Sequence, residues 1–228
     1  MIYVTGDTHG QNDYFKLFVF AKKNKNLTKK DYVIIAGDFG AIWDRRTLQK
    51  DLDKYSKLPW TTLFVDGNHE NFNIINSFPI ETWNGGKVHK IREDIIHLTR
   101  GQVFEIEGKK IFTMGGATSI DKKWRVPGIS WWKEELPTYV DMNEAEENLN
   151  KHKRKVDYII THSCSERILY RLPLYDRPEK RKPCIDNNFL TEFETTVKFK
   201  QWFFGHYHLD FKISSSHRAL YQDVVCLK

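Results

Sequence analysis

Residues 1–10 read MIYVTGDTHG, an apolar, largely β-branched run at 2–5 that stops at Gly6 and is followed at once by Asp7 and His9. A run this apolar along its whole length suits a strand buried on both faces. The pattern returns four times: residues 32–36 (YVIIA) before Gly37-Asp38, 61–65 (TTLFV) before Gly67-Asn68-His69, 158–160 (YII) before Thr161-His162, and 202–204 (WFF) before Gly205-His206. Open α/β sheets place ligands beyond the carboxyl ends of their strands. Five polar clusters are therefore aimed at one rim.

Working outward, residues 12–25 carry Phe15, Phe18 and Val19 at helical spacing, and 143–156 are rich in Glu, Lys, Ala and Leu. Both stretches predict helices. Strand and helix alternate at the start, which predicts the α/β class. Residues 103–116 (VFEIEGKKIFTMGG) read as a hairpin turning at Gly108, so the sheet is expected to be mixed. A single domain over 1–228 is expected, with an insertion at about 116–137 and a long loop at about 163–185. The insertion holds three of the seven tryptophans, Trp124, Trp131 and Trp132. They suit a wall that stacks on a base, or a satellite core.

With 40% hydrophobic and 29% charged residues, the 228-residue chain is neither disordered by composition nor membrane-embedded. Its first residues lack the basic leader and apolar stretch of a secretory signal. The three cysteines, Cys164, Cys184 and Cys226, are scattered without C-x-x-C spacing, so they suggest neither a disulfide framework nor a cysteine zinc site and fit a reducing, cytoplasmic setting. The formal charge of +6 is compatible with a phosphorylated or nucleic-acid partner, but it is spread along the chain as a solvated surface would be.

Five of the nine histidines, His9, His69, His162, His206 and His208, follow apolar runs beside Gly, Asp, Asn or Thr. His89, His97, His152 and His217 have no such setting and read as structural. Asp7-x-His9 and His206-x-His208 would each put two ligands on one side if the segment is extended. Asp38 and Asn68 add oxygen donors and His162 a nitrogen. Such mixed donors suit Zn, Mn, Fe or Ni better than Ca or Mg.

The ordered set Gly6-Asp7-Thr8-His9-Gly10, Gly37-Asp38, Gly67-Asn68-His69-Glu70, Thr161-His162 and Gly205-His206-Tyr207-His208 resembles the calcineurin-like metallophosphoesterase superfamily. The first element, with Gln11, is similar to the start of the serine/threonine phosphoprotein phosphatases. The resemblance implies a four-layer fold, a central mixed β-sandwich flanked by helices, with the metal site at the C-terminal ends of strands. It implies that Asp7, His9 and His208 hold one metal ion, that Asn68, His162 and His206 hold a second, and that Asp38 bridges them. The ions would be divalent or trivalent Mn, Fe, Zn or Ni, and a shared hydroxide would attack phosphorus. His69 would stand beside them, close to the leaving oxygen, as its proton donor.

The chain departs from the phosphoprotein phosphatases after Asp38, where Phe39-Gly40-Ala41-Ile42-Trp43-Asp44-Arg45 replaces their Asp-Arg-Gly pattern, and before Gly67, where Asp66 replaces an arginine. Two phosphate-binding guanidiniums are thus missing from their usual places, and Asp66 would repel a dianion if it faced the site. Arg45, Arg46, Arg100 and Arg125 are the candidates to reach in instead. A phosphodiester of a nucleotide or nucleic acid is the expected substrate; phosphomonoester or phosphoprotein hydrolysis is the alternative. The complete ligand set argues against a catalytically silent scaffold.

Overall fold

The computed structural model describes residues 1–176 and 178–228. Its first third alternates strand and helix: β1 (Ile2–Thr5), α1 (Phe15–Lys23), β2 (Tyr32–Ala36), α2 (Leu48–Ser56), β3 (Thr61–Val65) and the short α3 (Phe72–Ile75). A meander follows, with β4 (Ile80–Trp83), β5 (Gly86–Arg92), β6 (Ile95–Leu98), β7 (Gln102–Ile106) and β8 (Lys109–Met114). Then come α4 (Tyr139–Lys151), β9 (Tyr158–Thr161), α5 (Glu166–Leu169), α6 (Ile185–Thr196) and β10 (Gln201–Phe204). Three short strands end the chain: β11 (Phe211–Lys212), β12 (His217–Ala219) and β13 (Val224–Cys226).

The strands form two mixed sheets, ordered β13-β1-β2-β3-β6-β5-β4 and β11-β12-β10-β9-β8-β7. β1, β2, β3 and β6 run parallel, as do β8, β9, β10 and β12. The period-two alternation of strand side chains explains why the apolar runs are unbroken. Ile2, Val4, Ile34, Ala36, Leu63 and Val65 meet Ile111, Ile160 and Phe203 in one core between the sheets. Their neighbours point outward: Tyr3, Val33, Ile35 and Phe64 pack with Leu17 of α1 and Leu52 and Tyr55 of α2. On the other sheet, Phe112, Ile159, Trp202 and Phe204 pack with Leu149 of α4 and Leu190 and Phe193 of α6. The expected four layers, helix on sheet on sheet on helix, are what the chain forms.

Local boundaries differ from the sequence reading for identifiable reasons. α4 begins at Tyr139 rather than 143, because Thr138 and Asp141 form a reciprocal capping box. It stops at Lys151 because Lys153 and Arg154 take left-handed backbone, with φ of 54° and 50°. The stretch expected as one long loop from 163 contains α5, capped by the Ser165 side chain accepting from the Ile168 N–H. The 116–137 segment has two short 3₁₀ turns, Lys122–Trp124 and Lys133–Glu135. Among the described residues no helix is long and apolar enough to cross a membrane.

Candidate metal centre

Asp7 follows β1, Asp38 follows β2, Asn68 and His69 follow β3, His162 follows β9, and His206 and His208 follow β10. Five parallel-running strands, three from one sheet and two from the other, deliver these side chains to one rim. The extended geometry expected for Asp7-x-His9 and His206-x-His208 is not what the chain adopts. Both pairs lie in turns beyond the strand ends, and His9, His206 and His208 have φ of 42°, 65° and 52°. Asp38 is left-handed as well, at 49°. Four such residues at one rim store backbone strain that the surrounding packing must hold. Part of that hold is a clasp between loops, in which the Thr8 and His9 N–H groups both donate to the Asp38 carbonyl at 3.0 and 2.9 Å.

The turn splits the last pair: His208 faces Asp7, with Nε2 to Oδ2 at 3.0 Å, whereas His206 Nδ1 lies 3.1 Å from Asn68 Oδ1. His162 Nε2 approaches the same Asn68 oxygen at 3.1 Å. Between the two groups stands Asp38. Its Oδ2 is 3.3 Å from His9 Nε2, and its Oδ1 is 3.3 Å from His162 Nε2. Donor atoms of Asp7, His9, Asp38 and His208 all lie within 4.8 Å of one another. Close approach of the loops requires glycine: at Gly37, whose φ is 89°, a Cβ would overlap the His162 ring, and at Gly67 it would overlap the Asp38 carboxylate. His69 is tied in by its backbone N–H, which donates to Asp38 Oδ1 at 2.7 Å, and its ring centroid lies 5.4 Å from that of His9.

Asp7, Asp38 and His162 are fully buried, while His9, His69, His206 and His208 are half-open toward solvent. Burial pushes the Asp7 carboxyl up, but the His208 hydrogen bond and the His162 charge outweigh it and bring its pKa down to about 2. Asp38 is likewise held low by His162 against its burial. Burial opposes the charged imidazoles too, yet Asp38 lifts His9 to about 9 and His162 to about 10. In the metal-free chain these protons neutralise the carboxylates, and a cation would take their place.

The donor set fits that cation. Asp7 Oδ2 is buried and faces the imidazole nitrogens of His208 at 3.0 Å and His9 at 4.0 Å, a set of donors turned on one point as an ion would need. His162 Nδ1 donates to the Ala36 carbonyl at 2.9 Å, which leaves Nε2 toward the rim. His9 Nδ1 contacts Asp13 Oδ2 at 2.7 Å, and Asp13 Oδ1 accepts from the Tyr221 hydroxyl at 2.7 Å. Outer carboxylates and carbonyls of this kind fix ring orientation and raise ligand basicity.

Several supports went unread in the sequence. Asp13 is one, although its spacing of four residues from His9 was a usable signal. Lys16 is another: its buried ammonium donates to the carbonyls of Gly6 and Asp7, at 3.0 and 2.5 Å, and of Tyr221, so it clamps the loop that carries Asp7. Burial draws its pKa down to about 8. Glu70 accepts from the Phe39 and Gly40 N–H groups at 2.6 and 3.2 Å and so shapes the loop after Asp38.

Asp66 does not face the rim. Its carboxylate takes Arg100 at 2.5 and 2.8 Å and His97 at 3.1 Å, and against its burial they hold it well below the usual carboxylate range. It therefore repels no substrate. Arg46 pairs with Asp44 at the surface, at 2.6 Å. Arg125 is the candidate that reaches in, with Nη2 3.0 Å from His69 Nε2. Burial, then the charge of Arg125, keeps the His69 pKa below its ordinary value. Of the tryptophans, Trp132 is buried edge-on to Trp43 at 5.3 Å, while Trp124 is 79% exposed.

The family model for calcineurin-like phosphoesterases matches residues 1–210. A lariat debranching enzyme of Schizosaccharomyces pombe is 25% identical, over 96% of this chain and 50% of its own length. A second, from Danio rerio, is 24% identical over 95% of this chain and 41% of its own length. The chain thus spans about half the length of these relatives, or less. Among solved structures, a phosphopantetheinyl hydrolase of Mycobacterium tuberculosis aligns with a TM-score of 0.40 at 15% identity, covering 96% of this chain and 87% of that one.

Proposed function

Because the chain belongs to the calcineurin-like phosphoesterase family, we propose that it hydrolyses a phosphoester at this rim with two bound metal ions, and that the bond is a phosphodiester in a nucleotide or nucleic acid. The observation that carries the proposal is Asp38, whose two carboxylate oxygens each face a different imidazole, His9 and His162, at 3.3 Å. A carboxylate so placed would serve two ions at once. Asp7, His9 and His208 would complete one site, and Asn68, His162 and His206 the other. Ions held there supply Lewis acidity, which lowers the pKa of water and neutralises phosphoryl oxygens.

The protein's own groups do the rest. Asp13 and the Ala36 carbonyl fix the His9 and His162 tautomers. The Asp38 bond to its N–H holds His69 beside the cluster, where its ring donates a proton to the departing oxygen. The diester preference draws support from the likeness to lariat debranching enzymes and from the absence of arginine at both motif positions.

A panel assay of the metal-loaded protein tests both levels, using monoesters, diesters, cyclic nucleotides, single-stranded DNA and a phosphopeptide. Turnover of diesters and DNA above the monoesters is expected. Turnover of the phosphopeptide alone would overturn the diester assignment, and no turnover with two metals bound would overturn hydrolysis itself.

A further inference from the structure

We infer that Arg125, carried to the rim by the 116–137 segment, is the residue that binds a non-bridging oxygen of the substrate's phosphate, in place of the arginines missing from the motifs. The assignment rests on the phosphoesterase reading and names its anion-recognition group.

A guanidinium carries five N–H donors in a planar fork. In Arg125, Nε lies 2.8 Å from Asp121 Oδ1, and Nη2 donates to Asp121 Oδ2 at 2.9 Å. Nη1 reaches the Ser130 carbonyl at 3.3 Å. What remains of the fork is pressed against His69, with Nη2 3.0 Å from Nε2 and both terminal nitrogens 3.4 Å from Nδ1. An imidazole offers at most one ring lone pair, and none when protonated, so in either state it cannot satisfy this fork. The oxygens of a phosphate can, with charge assistance. Asp121 stands behind the guanidinium as an orienting carboxylate, one 3₁₀ turn earlier in the chain.

The segment that delivers Arg125 is braced against the metal centre. Trp132 is buried against Trp43. Ser119 accepts from Asn68 Nδ2 at 3.1 Å and is held in turn by Glu135, at 2.6 Å from its hydroxyl and 3.0 Å from its N–H. One end of the segment thus touches a proposed ligand, and its interior is pinned to the loop after Asp38. The other arginines considered are committed elsewhere or lie at the surface: Arg100 to Asp66 behind the rim, Arg46 to Asp44, and Arg45 exposed.

The test uses the manganese-loaded full chain with Arg125→Ala and Arg125→Lys. Metal content, thermal midpoint, calorimetric affinity for inorganic phosphate, and kcat and KM for nitrophenyl esters are measured. Both variants are expected to keep their metals and midpoint. Phosphate affinity should fall about 10–100-fold in Arg125→Ala, the scale of a charge-assisted bond, and less in Arg125→Lys, which restores charge without the fork. The loss in kcat/KM should fall mainly on KM. Unchanged phosphate affinity overturns the assignment, whatever happens to kcat, and so does loss of metal or midpoint in both variants. If the unaltered protein binds phosphate through Arg125 yet hydrolyses no ester, the recognition role stands and the hydrolase reading falls.

Discussion

At the floor of the rim, Asp7, Asp38, Asn68 and His162 are buried at the ends of strands from both sheets, whereas the wall formed by the 116–137 segment presents Trp124 and Ile129 at 79% and 69% exposure. The floor is fixed by ladders, glycine contacts and left-handed residues, so a small displacement disturbs several ligands together. The wall is held at a few points, among them Trp132 on Trp43 and Ser119 on Asn68, and most of the residues between them are exposed or half-buried. On the proposed reading, chemistry falls to the rigid part and selectivity to the part that tolerates change.

The largest effect separating the two regions should come from Asp38→Asn. Removing a charge shared by both proposed sites should empty both and bring activity to background, while Asp7→Asn should cost mainly one ion. Elemental analysis of the purified variants decides this; two ions retained in Asp38→Asn would break the picture of a shared carboxylate. His69→Ala comes next. It should keep its metals and lose turnover by roughly 10²–10⁴-fold for alkyl leaving groups, with nitrophenyl esters largely spared. Equal losses on both would remove His69 as the proton donor.

Within the wall, Trp132→Ala should cost about 3–5 kcal/mol of stability, as truncation of a buried aromatic does, while Trp124→Ala should stay within about 0.5 kcal/mol and raise KM for a nucleotide substrate only. Denaturant melts of the two variants sharpen the contrast between anchor and open surface, and equal destabilisation would erase it. Chelation should act on stability between these two. Ions at 100-fold their Kd stabilise a fold by about 2.7 kcal/mol, so the chelated chain should melt earlier. Because His9 and His162 hold protons up to about 9 and 10 without metal, reloading at neutral pH should release protons into a weakly buffered indicator solution. No release would mean that the imidazoles are neutral before the metal arrives.

The floor was legible because glycine and a polar residue punctuate the end of each apolar run, and strand order in α/β folds sends those ends to one side. Asp66 was readable too, by the same period of two. It shares a face with Phe64, opposite Val65, and His97 pairs in register with Phe64 and stacks on it at 4.9 Å. The turn at His206 and His208 was not readable, since nothing in three residues announces left-handed backbone at a histidine. Arg125 could be named only as one of four candidates. Its position follows from contacts between Trp132 and Trp43 and between Glu135 and Ser119, which no local pattern encodes.

The Asp7 carboxylate accepts from the His206 N–H across 199 residues of chain. Closing so long a loop is entropically slow and must wait for both sheets. During synthesis, a nascent chain that has already made Asp7, His9 and Asp38 still lacks His162, His206 and His208, and this open half-set would grip an ion weakly. On the proposed ligand set, metal loading would therefore be a late event coupled to completion of the fold, and a ribosome-bound fragment ending before residue 206 should exchange its ions freely with the medium.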